Sequence, residues 1–425
     1  MKIKNWRWLR LAAVLILLLV PVATFAQDDI QDRFDAAMSA IEDDRLTTAR
    51  EILVDLLEDY PNLQRARLEL ARVHYLTYDL DGAERLAREV LEDPNTPVSV
   101  QTTVLAFLAQ IREDRKRLGD RHIWGASLYV GALYDTNVNF GPSRDIFDVG
   151  GIPIIIDPDS AETSDWAWVI NPVGTHTFNP GKRYDAGEDT GLFAWQSLAG
   201  FYYRGYLEED DFDFGVLTLR TGPVWVVPEK WRATIGFQGD QIWLGQENLA
   251  LFLSVNPAFS WQAGKNTELV LDTYLTDRDY AQRKDRARDG LFASGLLAVN
   301  HALGKGSLML QGGAGYRNFD AERNRFTYKG PEAYAGVFWG AWTRGSVSAR
   351  FGYRKFDFKG IEPLFNETRN DDEYRYSLAA QHVFGAGWLR DWVLSADWVF
   401  TDNRSRVPIY DFERHEVNFG LSRSF

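Results

Sequence analysis

The pair His415-Glu416 is the nearest this chain comes to a zinc signature, which needs a second histidine one helical turn away. None is there, and the pair alternates with apolar neighbours as a strand does. The other histidines, at 74, 122, 176, 301 and 382, stand singly. For nucleophilic chemistry there is no Gly-x-Ser-x-Gly, and Ser127, Ser348 and Ser422 alternate with apolar residues. A lipid hydrolase would have to assemble its triad from separate strands. Gly304 with Gly306, and Gly385 with Gly387, suggest a phosphate loop in isolation, but no helix follows either pair and both read as turns. Glu208, Glu209, Asp210, Asp211 and Asp213 offer enough oxygen for calcium, and equally read as a solvated loop. The expectation is therefore no enzyme, no metal site and no cofactor.

The remaining charges have a regular setting. In residues 346–356, Val347, Ala349, Phe351 and Tyr353 alternate with Ser346, Ser348, Arg350, Gly352 and Arg354. Residues 266–278 and 392–401 alternate likewise, and a period of two means strands. In this register Arg317, Arg350, Arg354, Arg375 and Arg414 share one face with Glu268, Asp272, Asp397 and Glu416. Such charges would close a pore, guide a passing substrate, or neutralise one another. The opposite face is apolar and aromatic, with 15 Trp, 18 Tyr and 26 Phe in the chain. A dozen strands of this kind suit a transmembrane barrel, with lipid outside and water within. The last strand keeps the pattern to Phe425, although Arg423 stands where such terminal signals usually carry an apolar residue.

Residues 1–26 read as a signal peptide: Lys2, Lys4, Arg7 and Arg10 precede an apolar run and a small-residue site at Thr24-Phe25-Ala26. Its removal takes the formal charge from -13 to about -17, so nucleic acid is not an expected partner. With no Cys, disulfides play no part. Residues 27–121 change to helical spacing, and an offset of 34 superposes Leu46 on Leu80, Ala49 on Ala83 and Leu57 on Leu91. That is the tetratricopeptide (TPR) period, so a short TPR-like α-solenoid is expected. Residues 122–425 form the barrel. Thirteen strands are legible, beginning near Ile123, Thr190, Asp211, Trp231, Leu249, Asn266, Gly290, Ser307, Gly330, Ser346, Glu373, Asp391 and Tyr410. An even number requires a fourteenth, placed at 165–178. Short turns then fall on one side, and loops near 208–211, 281–289, 320–328 and 359–372 on the other. The expected fold is this solenoid followed by a 14-stranded antiparallel transmembrane β-barrel.

The first barrel strand ends in Gly131-Ala132-Leu133-Tyr134-Asp135-Thr136-Asn137-Val138-Asn139. Amides and a carboxylate at a strand end can cap free backbone groups. With the signal peptide, the repeats and the barrel, this stretch resembles the Slam family, the surface lipoprotein assembly modulators, through Gly131, Tyr134, Asp135, Asn137 and Asn139. The resemblance implies an outer-membrane translocon of a Gram-negative bacterium, with its helical domain in the periplasm. It implies as partners a client lipoprotein or soluble secreted protein, a periplasmic carrier or chaperone, the barrel-assembly machinery and outer-membrane lipid. Polysaccharide export and a passive porin are the alternatives.

Overall fold

The computed structural model describes residues 24–425 except 95, 119, 120, 150, 151, 158 and 159. All but the end of the expected signal peptide therefore lies outside the described residues. The chain divides into two compact units: a helical one, to Leu118 and including Asp185–Thr190, and a β unit made of Gly119–Tyr184 and Gly191–Phe425.

The helical unit contains α1 (Thr24–Glu42), α2 (Leu46–Asp59), α3 (Gln64–Leu76), α4 (Leu80–Glu92) and α5 (Val98–Leu118). The sequence offset reappears in the structure. Helices α2 and α4 start at residues 46 and 80, and α3 and α5 at residues 64 and 98, each pair 34 apart. The turns before α2 and α4 repeat as well, with Asp44 at φ 64° and Tyr78 at φ 60°. Ala49, Leu53 and Leu56 of α2 are fully buried, and so are Ala83, Ala87 and Val90 of α4 at the equivalent positions. Alanines on the contact faces let the helices approach closely while their leucines fill the space between, which suits antiparallel neighbours joined by short turns. Asp79 caps α4 by accepting from the Gly82 N–H at 3.1 Å.

The strands are β1 (His122–Asp135), β2 (Ile146–Val149), β3 (Ile152–Ile155), β4 (Asp165–Phe178), β5 (Arg183–Ala186), β6 (Asp189–Tyr206), β7 (Phe214–Val227), β8 (Trp231–Leu244), β9 (Glu247–Gly264), β10 (Thr267–Tyr280), β11 (Gly290–Leu303), β12 (Leu308–Ala321), β13 (Tyr328–Trp342), β14 (Gly345–Glu362), β15 (Glu367–Val383), β16 (Val393–Ser405) and β17 (Phe412–Ser424). Strand β1 pairs with β4 and with β17, β4 also pairs with β6, and β6 to β17 follow in sequence order. The sheet thus closes as a 14-stranded antiparallel barrel with no free edge, as the alternation requires. Strand β4 occupies the residues expected of the fourteenth strand. Strands β2 and β3 form a hairpin of their own within the β1–β4 loop, and β5 is a short addition beside β6.

Several boundaries differ from the sequence expectation by two residues or more, and three of them have a visible cause. The strand expected from Asp211 begins at Phe214, because Asp210–Phe212 is a tight helical turn held by the Asp213 carboxylate, which accepts from the Tyr206 N–H at 2.7 Å. The strand expected from Tyr410 begins at Phe412, after a similar turn at Pro408–Tyr410. The loop expected at 359–372 is mostly strand, since β14 runs to Glu362 and β15 starts at Glu367. Side-chain pairs across the two strands hold that extension together: Asn370 donates to Asp357, and the Tyr353 hydroxyl donates to Asp372 at 2.6 Å. Polar on both faces, it lacks the alternation that marks the rest of the barrel.

The outward face is an apolar band between aromatic girdles. Leu219, Leu253, Leu271, Leu275, Leu297 and Leu378 project from it, each at least 45% exposed. Trp124, Trp195, Trp261, Trp339 and Trp342 cluster toward the end that carries the short turns. Trp166, Trp168, Tyr316 and Tyr376 lie toward the end that carries the loops. A band so bounded is what a bilayer wets. Four histidines belong to the girdles, with His122 and His176 stacking at Trp124, and the indoles of Trp342 and Trp398 donating to His382 and His415.

Candidate functional site

Which face is inward is fixed by side chains that meet across strands that are not neighbours. Arg204 of β6 reaches Glu416 of β17 at 3.4 Å, past the whole of β4 and β1. Arg204, Glu416, Asp135 and Arg414 thus share the lumen near its loop end. Asp135 is fully buried there and is a hub. It accepts from Arg414 Nε at 2.8 Å and from that side chain's terminal nitrogen, from the Tyr206 hydroxyl at 2.6 Å and from the Asn137 N–H at 3.1 Å. Arg414 also pairs with Glu416 at 3.0 Å and lies 4.4 Å from the centre of the Phe140 ring. Two cations meeting two anions with every Asp135 oxygen occupied make a cross-brace, with no carboxylate left over for acid–base work.

The rest of the motif continues the brace into the β1–β4 loop. Asn137 is fully buried; its Nδ2 donates to the carbonyls of Gly141 at 2.8 Å and Glu413 at 3.1 Å, and its Oδ1 accepts from the Gly141 N–H at 2.7 Å. Asn139 does the same across the loop, donating to the Ala161 carbonyl at 2.6 Å and accepting from the Thr163 N–H at 3.3 Å. Farther along, Phe147 is buried against Phe365 of the β14–β15 turn, ring centres 6.3 Å apart. The loop is therefore pinned to β17 at one point and reaches the β14–β15 turn at another. Gly131 serves a different purpose: a methyl group there would meet the Tyr129 hydroxyl and the Phe419 carbonyl. Its absence lets Tyr129 lie across the wall and donate to Asn418 at 2.8 Å. Tyr134 points outward, its ring centre 5.0 Å from that of Trp166 in the girdle and tilted 44° to it. The structure thus brings Asp135, Asn137 and Asn139 together, leaves Gly131 as a gap for Tyr129, and separates Tyr134 from all of them.

Lower on the inner wall, Arg317 pairs with Glu332, Glu332 lies 3.9 Å from Arg354, and Arg354 pairs with Glu373 at 3.2 Å. This chain of alternating charge crosses β12 to β15. Glu268 accepts from Asn300 at 3.1 Å, and Asp272 from Asn256 at 2.7 Å, an amide that in turn accepts from Arg220 at 2.5 Å. Arg350 lies flat over Tyr334, 3.7 Å from its ring centre, and Arg375 sits beside it on β15. Sequence reasoning placed Arg317, Arg350, Arg354, Arg375, Glu268 and Asp272 on one face but missed Arg204, Tyr206, Glu332 and Glu373. The alternation Tyr202, Arg204, Tyr206 at the end of β6 carried that signal. Of the acidic run, Asp213 accepts from the Tyr203 hydroxyl at 2.7 Å, and among the described residues no group of three or more metal-binding side chains converges.

In the helical unit, Glu84 joins α4 to α5: it accepts from Arg88 at 2.6 Å and from Arg115, whose other nitrogen reaches Asp81 at 2.9 Å. The Arg88 bond, and then Arg115, hold the Glu84 carboxyl below its ordinary range against the burial that raises it. Burial and the bond to Asp114 push the Tyr75 phenol above its ordinary range. The groove beside Glu84, lined by Arg85, Arg88, Glu89 and Glu92, alternates in sign.

The model of a family described as "Protein of unknown function (DUF2860)" matches residues 253–422, under half of the chain. No curated protein matches. Among solved structures the chain is similar to OmpT, an outer membrane protein of Vibrio cholerae, at 9% identity over 72% of this chain and 98% of that one, with a TM-score of 0.41. It is similar also to OprD of Pseudomonas aeruginosa, at 10% identity over 71% and 95% with a TM-score of 0.38. A third is OccAB2 of Acinetobacter baumannii, at 10% identity over 71% and 98% with a TM-score of 0.39.

Proposed function

We propose that this chain is an outer-membrane translocon of the Slam type, which receives a client protein through a periplasmic TPR-like domain and passes it to the cell surface through the barrel. The observation that carries the reading is the pairing, in one chain, of a helical unit repeating every 34 residues with a closed barrel whose outer face is apolar and inner face charged. Stacked helix pairs offer extended surfaces to protein segments, and the groove of alternating charge beside Glu84 suits a polar extended chain. The loop pinned by Asn137 and Asn139 would restrict the mouth until a client displaces it. An exterior apolar band favours the bilayer, and the short turns would face the periplasm together with the helical unit. A second reading, a solute channel, is favoured by the water-exposed Arg350 and Arg375 on the inner wall.

The test is made in cells. The gene is expressed with a lipoprotein or secreted protein encoded beside it, and the surface is labelled with antibody or protease in its presence and absence. Client exposed only when the gene is present supports the translocon. Unchanged client with altered solute uptake sinks it in favour of the channel.

A further inference from the structure

The inner wall contains one place where positive charge is concentrated and left unanswered. The chain Arg317, Glu332, Arg354 and Glu373 balances two cations against two anions on four adjacent strands. Immediately toward the turn end the balance stops. Arg350 and Arg375 are both exposed to the lumen, and neither has a carboxylate partner among the described residues. Their positions are fixed by register, because Arg350 pairs across with Ser377 and Gly352 with Arg375. The two arginines are therefore diagonal neighbours on one face, with backbone positions about 7–8 Å apart.

The two arginines differ in how they are held. A methyl group on Gly336 would lie 3.6 Å from the Arg350 stem, and one on Gly352 would lie 3.9 Å from Cβ of Arg375. The stems thus run beside glycines, which leave the wall around them open. Stacking on Tyr334 further orients the Arg350 guanidinium, leaving the edge that carries its N–H donors free. An oriented guanidinium edge with a second guanidinium beside it, both facing one pool of water, makes a receptor for an anion with two or more oxygens, since bidentate pairing with carboxylate or phosphate is what that geometry favours.

We propose that Arg350 and Arg375, with Tyr334 as platform, form an anion-binding site on the barrel wall for a carboxylate- or phosphate-bearing solute or segment. The site is independent of whether the barrel passes a protein or a solute. The purified full-length protein in detergent at low salt is titrated by calorimetry with inorganic pyrophosphate and, separately, with citrate. Saturable binding of at least one probe is expected, weakened about tenfold or more in the double variant R350Q/R375Q. Loss confined to pyrophosphate assigns the site to phosphate, and loss confined to citrate assigns it to carboxylate. The control is R232Q, which removes an inward arginine that donates to Gln196 at 2.8 Å, and it is expected to bind as wild type does. Absence of binding by the wild type overturns the proposal. So does equal affinity in the double variant, or an equal loss in R232Q, which would mean a general lumen field. Both arginines project into water, and circular dichroism checks that the barrel is retained.

Discussion

Replacing Asp135 by alanine is the perturbation whose cost the structure constrains best. The carboxylate is fully buried and accepts from Arg414, Tyr206 and the Asn137 backbone. Removing one member of a buried ion pair typically costs 3–5 kcal/mol, because the remaining charge stays desolvated. Arg414 keeps Glu416 at 3.0 Å, which places this case at the low end, about 3 kcal/mol. The orphaned Tyr206 hydroxyl adds about 1 kcal/mol. Urea-dependent folding into lipid vesicles, followed by the fluorescence of the 15 tryptophans, measures the change. Asp135→Asn keeps an acceptor but not the charge and is expected between wild type and Asp135→Ala. The double variant D135L/R414M removes both charges and is expected to recover most of the loss, because buried pairs replaced together by apolar residues are often neutral. A loss under about 1 kcal/mol in Asp135→Ala, or none recovered in the double variant, would refute the cross-brace.

Asn137→Ala takes the amide donor from the carbonyls of Gly141 and Glu413 and leaves the Gly141 N–H only Asn139 Oδ1 at 3.1 Å, so limited proteolysis should cut residues 136–164 faster while the barrel stays protected. Tyr134→Ala removes only an outward ring packed against Trp166; about 1 kcal/mol of stability should go, and client export should be unchanged. The lowered carboxyl of Glu84 stabilises the charged form in the fold, so its contribution is present above the ordinary carboxylate value of 4.5 and is lost as pH falls through the lower folded value. Hydrogen exchange of the full-length protein should therefore show α4 and α5 losing protection on acidification, and Glu84→Gln should remove part of that pH dependence. Because the chain has no Cys, single cysteines report topology: in intact cells an impermeant maleimide should label Asn366→Cys in the β14–β15 turn and spare Lys265→Cys in the β9–β10 turn.

The barrel was legible because lipid and lumen enforce a strict period of two, and Leu269, Leu271 and Leu275 against Glu268, Asp272 and Thr276 leave no other reading of β10. The helical repeat was legible for a similar reason, since Ala49 and Ala83 must both be small to let helices touch. What escaped lies where that constraint ends. Beyond the apolar band the β14–β15 hairpin has water on both faces, so Asp357, Asn370 and Asp372 carry no alternation, although their side chains tie the two strands together. The site was legible only in part. The parity of β17 set Arg414 and Glu416 inward, but nothing local to Asp135 announces that Tyr206 and Arg204, some seventy residues later in sequence, complete its shell. Closure of the sheet decides that, and closure is set by all the strands together. Tyr134, adjacent to Asp135 in the motif, faces the other way for the plain reason that neighbouring residues in a strand do.

The central claim is that a client protein passes through this barrel, and a photo-crosslinking residue at Ser377, on the inner wall between the strands of Arg350 and Asp397, tests it most directly in cells making the client. Light-dependent adducts with the client at Ser377, and none when the same residue replaces Leu378 on the outer face, are the predicted result. Client that reaches the surface with no adduct at Ser377, or that crosslinks equally at Leu378, would contradict passage through the lumen.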